Sequence, residues 1–130
     1  MSEPLTVIVV PLTPLPALSP NARVHWTKRA KAVGIARTAA KLATLEAVGD
    51  DQRARIAAIP HLGYRVQIAW EPKRHGARDE DNALASCKAI IDGIADGLGI
   101  DDQRLHIRGI SFDRASRTGV TIVTIWEDAE

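Results

Sequence analysis

Between Arg78 and Asp102 the chain places one amphipathic helix between two clusters of carboxylates, and any fold it adopts must accommodate both. The stretch opens Arg78-Asp79-Glu80-Asp81-Asn82, runs through Lys88 and Asp92, and closes after Gly97 and Gly99 on Asp101-Asp102. Leu84, Cys87, Ile91, Ile94 and Leu98 recur at three- and four-residue steps, the spacing of a helix face turned to a core. Asp81 or Asn82 suits the N-cap, where a side-chain oxygen accepts from a free backbone N–H. Gly97 or Gly99 suits the left-handed position that ends a helix. Asp81, Lys88 and Asp92 fall on one stripe beside the apolar one. A solvated face with a Lys88–Asp92 pair accounts for the helix. It does not account for like charges crowded at both ends, which repel unless a cation neutralises them.

A chain of 130 residues, 45% hydrophobic and 25% charged, has the size and balance of one globular domain, residues 1–130, with a buried core. No apolar run approaches the roughly 20 residues that span a bilayer, and the N-terminus lacks the basic start of a signal peptide. A cytoplasmic protein with no membrane partner is expected. The single cysteine, Cys87, excludes an internal disulfide, fits a reducing compartment, and lies on the apolar helix face as a core thiol. The net charge of +1 conceals a division. From Pro4 to Leu45 there are six basic residues (Arg23, Lys28, Arg29, Lys31, Arg37, Lys41) and no carboxylate, while acids collect at 79–102 and in the tail. Such asymmetry fits an anionic partner gripped by one part and a cation held by another; a basic helix that only solubilises the protein fits it as well.

In chain order, Leu5–Val10 reads as a buried β-branched strand, and Pro11, Pro14, Pro16 and Pro20 then enforce an extended connection. The loop Ser19–Trp26 carries basic and aromatic groups suited to a phosphate backbone, with Trp26 equally suited to a core or to stacking. A helix is expected from about Thr27 to Val48, closed near Gly49, with a further turn over Asp51–Ala58 ended by Pro60. Tyr64–Trp70 alternates as a strand with Tyr64, Val66, Ile68 and Trp70 on one face. Pro72–Arg78 is a basic loop. Arg104–Phe112, with Leu105, Ile107 and Ile110 inward, and Thr118–Trp126 read as the two arms of a hairpin. The order β-α-β-α-β-β predicts an α+β fold, a mixed sheet of about four strands with two main helices on one side.

The spacing Asp79-x-Asp81 carries the chemistry. In an extended segment residues two apart point to the same side, so both carboxylates can bind one Mg²⁺ or Mn²⁺. Such an ion polarises a phosphodiester and generates hydroxide for in-line attack, with Lys88 placed to bind a phosphate. No Cys/His array for zinc, P-loop or serine nucleophile elbow is present.

The pattern R-D-E-D-N-x5-K-x3-D-G-x3-G-x-G-I-D-D from Arg78 to Asp102 resembles the signature of the RusA-type Holliday junction resolvases, which include many phage and prophage members. Ser19-Pro20-Asn21-Ala22-Arg23-Val24-His25-Trp26 is similar to that family's N-terminal motif, so the resemblance covers most of the chain. It implies a bacterial or phage-encoded, homodimeric, Mg²⁺-dependent endonuclease that cuts four-way DNA junctions symmetrically. Asp79, Asp81 and Asp102 fall on the family's catalytic, metal-binding acids and Lys88 on its essential lysine. Arg23, His25, Lys28, Arg29, Lys31, Lys73, Arg74 and Arg78 are the candidate DNA contacts. A non-catalytic DNA-binding protein on the same fold and a less selective nuclease for branched DNA are the rival readings.

Geometry poses one problem. An unbroken helix from Asn82 to Leu98 is about 25 Å long, whereas carboxylates sharing a divalent ion lie within about 5 Å of one another. Asp102 therefore joins Asp79 and Asp81 either across a two-fold axis, from the partner in an antiparallel pair of helices, or within one chain through a break near Gly93 or Gly97.

Overall fold

The structure is a computed structural model and describes residues 3–12, 25–70, 87–112 and 119–128. Four strands, β1 (Thr6–Val10), β2 (Tyr64–Trp70), β3 (Leu105–Phe112) and β4 (Thr121–Glu127), form one sheet in the order β1-β4-β2-β3. Three helices accompany it: α1 (Trp26–Ala47), α2 (Asp50–Ala58) and α3 (Lys88–Leu98). The class is the expected α+β. Among the described residues no helix is long and apolar enough to cross a membrane.

The strands show why one face is covered. Ile8 and Val10, then Tyr64, Val66, Ile68 and Trp70, then Thr121, Val123 and Ile125 are buried, while Val7, Val9, Arg65 and Gln67 between them are exposed. Residues two apart share a side of a strand, so the alternation lays one apolar surface against the helices. The register aligns Ile8, Val123 and Ile68 in one row across the sheet. Leu105, Ile107 and Ile110 all pack on this core as expected, although a strict two-residue period puts Ile107 and Ile110 on opposite faces. A register shift resolves this: Val66 faces Ile107 but Gln67 faces Gly109, so Arg108 is the extra residue of a bulge.

The expected β3–β4 hairpin is not formed. β2 lies between them, pairing parallel to β3 and antiparallel to β4. β3 follows β2 through a helical crossover, the connection that parallel neighbours require, and β4 fills the slot between β1 and β2.

α1 and α3 pack unusually closely. Ala32, Ala36, Ala40 and Thr44 form the buried stripe of α1, and α3 meets it with Gly93 and Gly97. A Cβ on Gly93 would stand 2.2 Å from the carbonyl oxygen of Arg37 and 2.8 Å from the Ala40 methyl. One on Gly97 would stand 2.7 Å from Cβ of Thr44. The contacts advance in the same sense along both helices, so α1 and α3 run parallel and their N-terminal ends point the same way. Arg37 on α1 clasps Asp96 on α3, Nε donating to Oδ2 at 2.6 Å and Nη2 to Oδ1 at 3.0 Å.

Gly93→Ala is expected to destabilise the protein by about 2 kcal/mol or more, because backbone rather than a mobile side chain blocks the methyl group. Gly34→Ala, on α1 with nothing within 4 Å of the added carbon, is expected to stabilise by roughly 0.5–1 kcal/mol through helix propensity. Urea unfolding of the two variants checks both signs.

Candidate functional site

α3 begins at Lys88 and ends with Gly99 in the left-handed conformation, φ 72°. The amide of Gly99 donates to the carbonyl of Asp96 at 3.3 Å and that of Ile100 to Ala95 at 3.0 Å. This paired closure ends the helix and turns the chain, with Ile100 packed against the core. Asp101 then caps a short 3₁₀ turn, Asp102–Arg104, its Oδ1 accepting from the amide of Gln103 at 2.9 Å.

That reversal carries Asp102 back along α3. Lys88 Nζ donates to Asp102 Oδ2 at 3.0 Å and to Asp92 Oδ1 at 3.1 Å. Asp102 is therefore not a helix length away from the lysine. The expected meeting of Asp102 with Asp79 and Asp81, across a two-fold axis or within one chain, lies outside the described residues. The helix is unbroken through both glycines, which serve the packing against α1, and Gly99 makes the turn within the same chain.

The electrostatics follow from these contacts. The hydrogen bond to Asp102, then that to Asp92, raises the Lys88 ammonium above its usual range, so it is charged at all ordinary pH. The Lys88 hydrogen bond, with further help from Asp101, holds the Asp102 carboxyl below the usual carboxylate value. Lys88 nevertheless remains 67% exposed, so these ion pairs fix its position more than they stabilise the fold. Arg37 is a second cation here that sequence spacing does not reveal. Its guanidinium is raised first by the hydrogen bond and charge of Asp96, and less by Asp92 and Asp102. It stands 59 residues from Asp96, and only the packing of α1 on α3 brings the two together.

Asp79 and Asp81, with Arg23, Lys73, Arg74 and Arg78, lie outside the described residues, as does the expected start of the helix near Asn82. Among the described residues no three His, Cys, Asp or Glu side chains converge as a metal site. The remaining candidate DNA contacts lie on or just before α1. His25 caps that helix, its Nδ1 accepting from the amide of Thr27 at 3.3 Å. Lys28 and Lys31 are exposed and Arg29 half-buried, and at 100° per residue the three spread over about 160° of the first two turns rather than form one narrow stripe. Cys87 is fully buried and its thiol is pushed up to about 12, the core thiol expected.

Lys88→Met tests the pairing. Asp102 favours its ionised form in the fold, so its contribution to stability is present above pH 3.8 and is lost as the pH falls through its lower folded value. Without the ammonium, the carboxyl of Asp102 is expected to titrate closer to 3.8, as followed by carboxyl-detected NMR. An unchanged titration contradicts the contact.

No family model matches the chain. A protein of Xylella fastidiosa (strain Temecula1 / ATCC 700964), described only as an uncharacterized protein, is 40% identical to it over 114 residues, which span 83% of this chain and 68% of that protein. The chain belongs to the same family as this Xylella fastidiosa protein.

Proposed function

We propose that the protein is a divalent-metal-dependent endodeoxyribonuclease that acts on four-way or branched DNA as a homodimer, the activity implied by its resemblance to the RusA-type resolvases. One observation supports this reading above the rest. The lysine and the last aspartate of the motif, fourteen residues apart, meet at 3.0 Å on one end of α3. That is the end into which the chain from Asp79 and Asp81 leads. Surface charges kept only for solubility have no reason to converge across a left-handed turn.

Residues Asp79, Asp81 and Asp102 would hold Mg²⁺ or Mn²⁺. The donor chemistry fits, since all three offer hard carboxylate oxygens and Asp102 stays ionised over the physiological range. Bound there, the ion supplies a Lewis acid for a phosphodiester oxygen and a source of hydroxide. Lys88 presents its ammonium to a phosphate oxygen, where positive charge opposes the negative charge that develops during in-line displacement. Asp92, which also accepts from Lys88, would hold that ammonium in place with Asp102 engaged in holding the ion. Lys28, Arg29 and Lys31, on the N-terminal side of the level of Lys88 along the parallel helix, would contact DNA phosphates, as would Arg23, Lys73, Arg74 and Arg78.

Conversion of a labelled four-way junction with Mg²⁺, set against linear duplex of equal length, tests the reading. Cleavage in paired symmetric positions is expected, and Asp81→Asn is expected to abolish it while leaving junction binding intact. Removing one carboxylate weakens the metal site yet lessens repulsion of phosphate. Nicking by the purified variant at the parent rate counts against the site, and equal cutting of linear duplex counts against junction selectivity.

A further inference from the structure

Trp26 opens α1 with 72% of its surface exposed, the most of any large apolar side chain among the described residues. The other two tryptophans are accounted for within the fold. Trp70 is 6% exposed in the core, and Trp126 is half-buried with the guanidinium of Arg65 5.6 Å from its ring centre. Trp26 instead stands beside the His25 ring, centroids 5.6 Å apart and planes tilted by 34°. Leaving so large an apolar surface in water opposes folding, and no contact of the core explains it.

Its place in the molecule supplies an explanation. Gly93 of α3 lies level with Arg37–Ala40 of α1. Lys88, five residues before Gly93, is therefore roughly level with residues 32–35 of the parallel helix. Trp26 stands roughly 10 Å further along the same axis, counted at 1.5 Å per residue. The ring thus lies on the N-terminal side of the level of Lys88, on a helix whose first two turns carry Lys28, Arg29 and Lys31 and no acid. Arg29, three residues on, lies on the same side of the helix as Trp26, and an aromatic face beside a cation is the surface on which proteins stack an unpaired base while holding the adjoining phosphate. A base within intact duplex is already stacked on both sides and has no face to offer.

We infer that Trp26 is a stacking platform for an unpaired DNA base, which lets the protein select strands opened at a branch point over continuous duplex. The inference rests on the proposed action on DNA and extends it to the form of DNA recognised. At the centre of a branched substrate the base next to the exchange point leaves its own stack and lies on the indole. The phosphate beside it meets the guanidinium of Arg29, and the backbone continues toward Lys88.

Tryptophan fluorescence of the whole protein, titrated with oligodeoxythymidylate in EDTA, reads this directly because no cleavage occurs. The parent protein is expected to be quenched by the single strand and far less by blunt duplex of equal length. Trp26→Phe keeps an aromatic face, so its affinity is expected to stay within about threefold while the quench disappears. Trp26→Ala is expected to weaken single-strand binding roughly tenfold or more. A circular dichroism melt matching the parent's establishes that both variants are folded. Quenching that survives in Trp26→Phe, unchanged affinity in Trp26→Ala, or equal quenching by duplex overturns the inference. The two readings separate cleanly. Stacking without junction cleavage in Mg²⁺ removes the nuclease and keeps the platform, whereas cleavage with a silent Trp26 does the reverse.

Discussion

The approach of α3 to α1 is the constraint from which the candidate site follows. Two missing side chains, at Gly93 and Gly97, let the backbones come close enough that any Cβ there would strike Arg37, Ala40 or Thr44. Contact at that range lets the small residues Ala32, Ala36, Ala40 and Thr44 suffice as the inner face of a long helix. It also fixes the two helices in register. Arg37 thereby reaches Asp96, and the basic and aromatic turn of α1 lies on the N-terminal side of the level of Lys88. Larger residues on that face would move α3 outward and separate these groups.

The second dependence is on the turn at Gly99. Its positive φ allows the paired amide–carbonyl closure that stops α3 and sends the chain back beside it. Asp101 and Asp102, adjacent in sequence, then take different tasks. One caps the 3₁₀ turn and the other meets Lys88. Lys88 accordingly sits between two carboxylates, charged and held in place though exposed. A lysine so held loses less side-chain entropy on meeting a phosphate than one free in solvent.

Much of this was legible in the sequence where local patterns decide structure. Alternation placed Tyr64, Val66, Ile68 and Trp70 on the buried face of β2, and the spacing of Cys87, Ile91, Ile94 and Leu98 gave the buried face of α3. Glycine placed the end of α3. What sequence did not show was pairing over distance. The two C-terminal strands look like a hairpin because they are adjacent in the chain, and nothing local says that β2 takes the place between them. The partnership of Arg37 with Asp96 has no sequence signature, and neither has the meeting of Asp102 with Lys88, which depends on the reversal at Gly99. Trp26 suited a core or a stacking surface equally until the buried stripe of α1 was located.

The central claim is that one chain gathers a cation-binding, phosphate-directed site around Lys88 and Asp102. Paramagnetic broadening by Mn²⁺ in ¹⁵N-labelled protein tests it most directly, because the effect falls steeply with distance from the ion. At substoichiometric Mn²⁺ the amides of Asp101, Asp102, Gln103 and Lys88 are expected to broaden first, with those of α2 still sharp and the effect reversed by excess Mg²⁺. Broadening that begins at Glu127 and Asp128, or that spreads evenly over the acidic surface with none favoured at Asp102, contradicts the account.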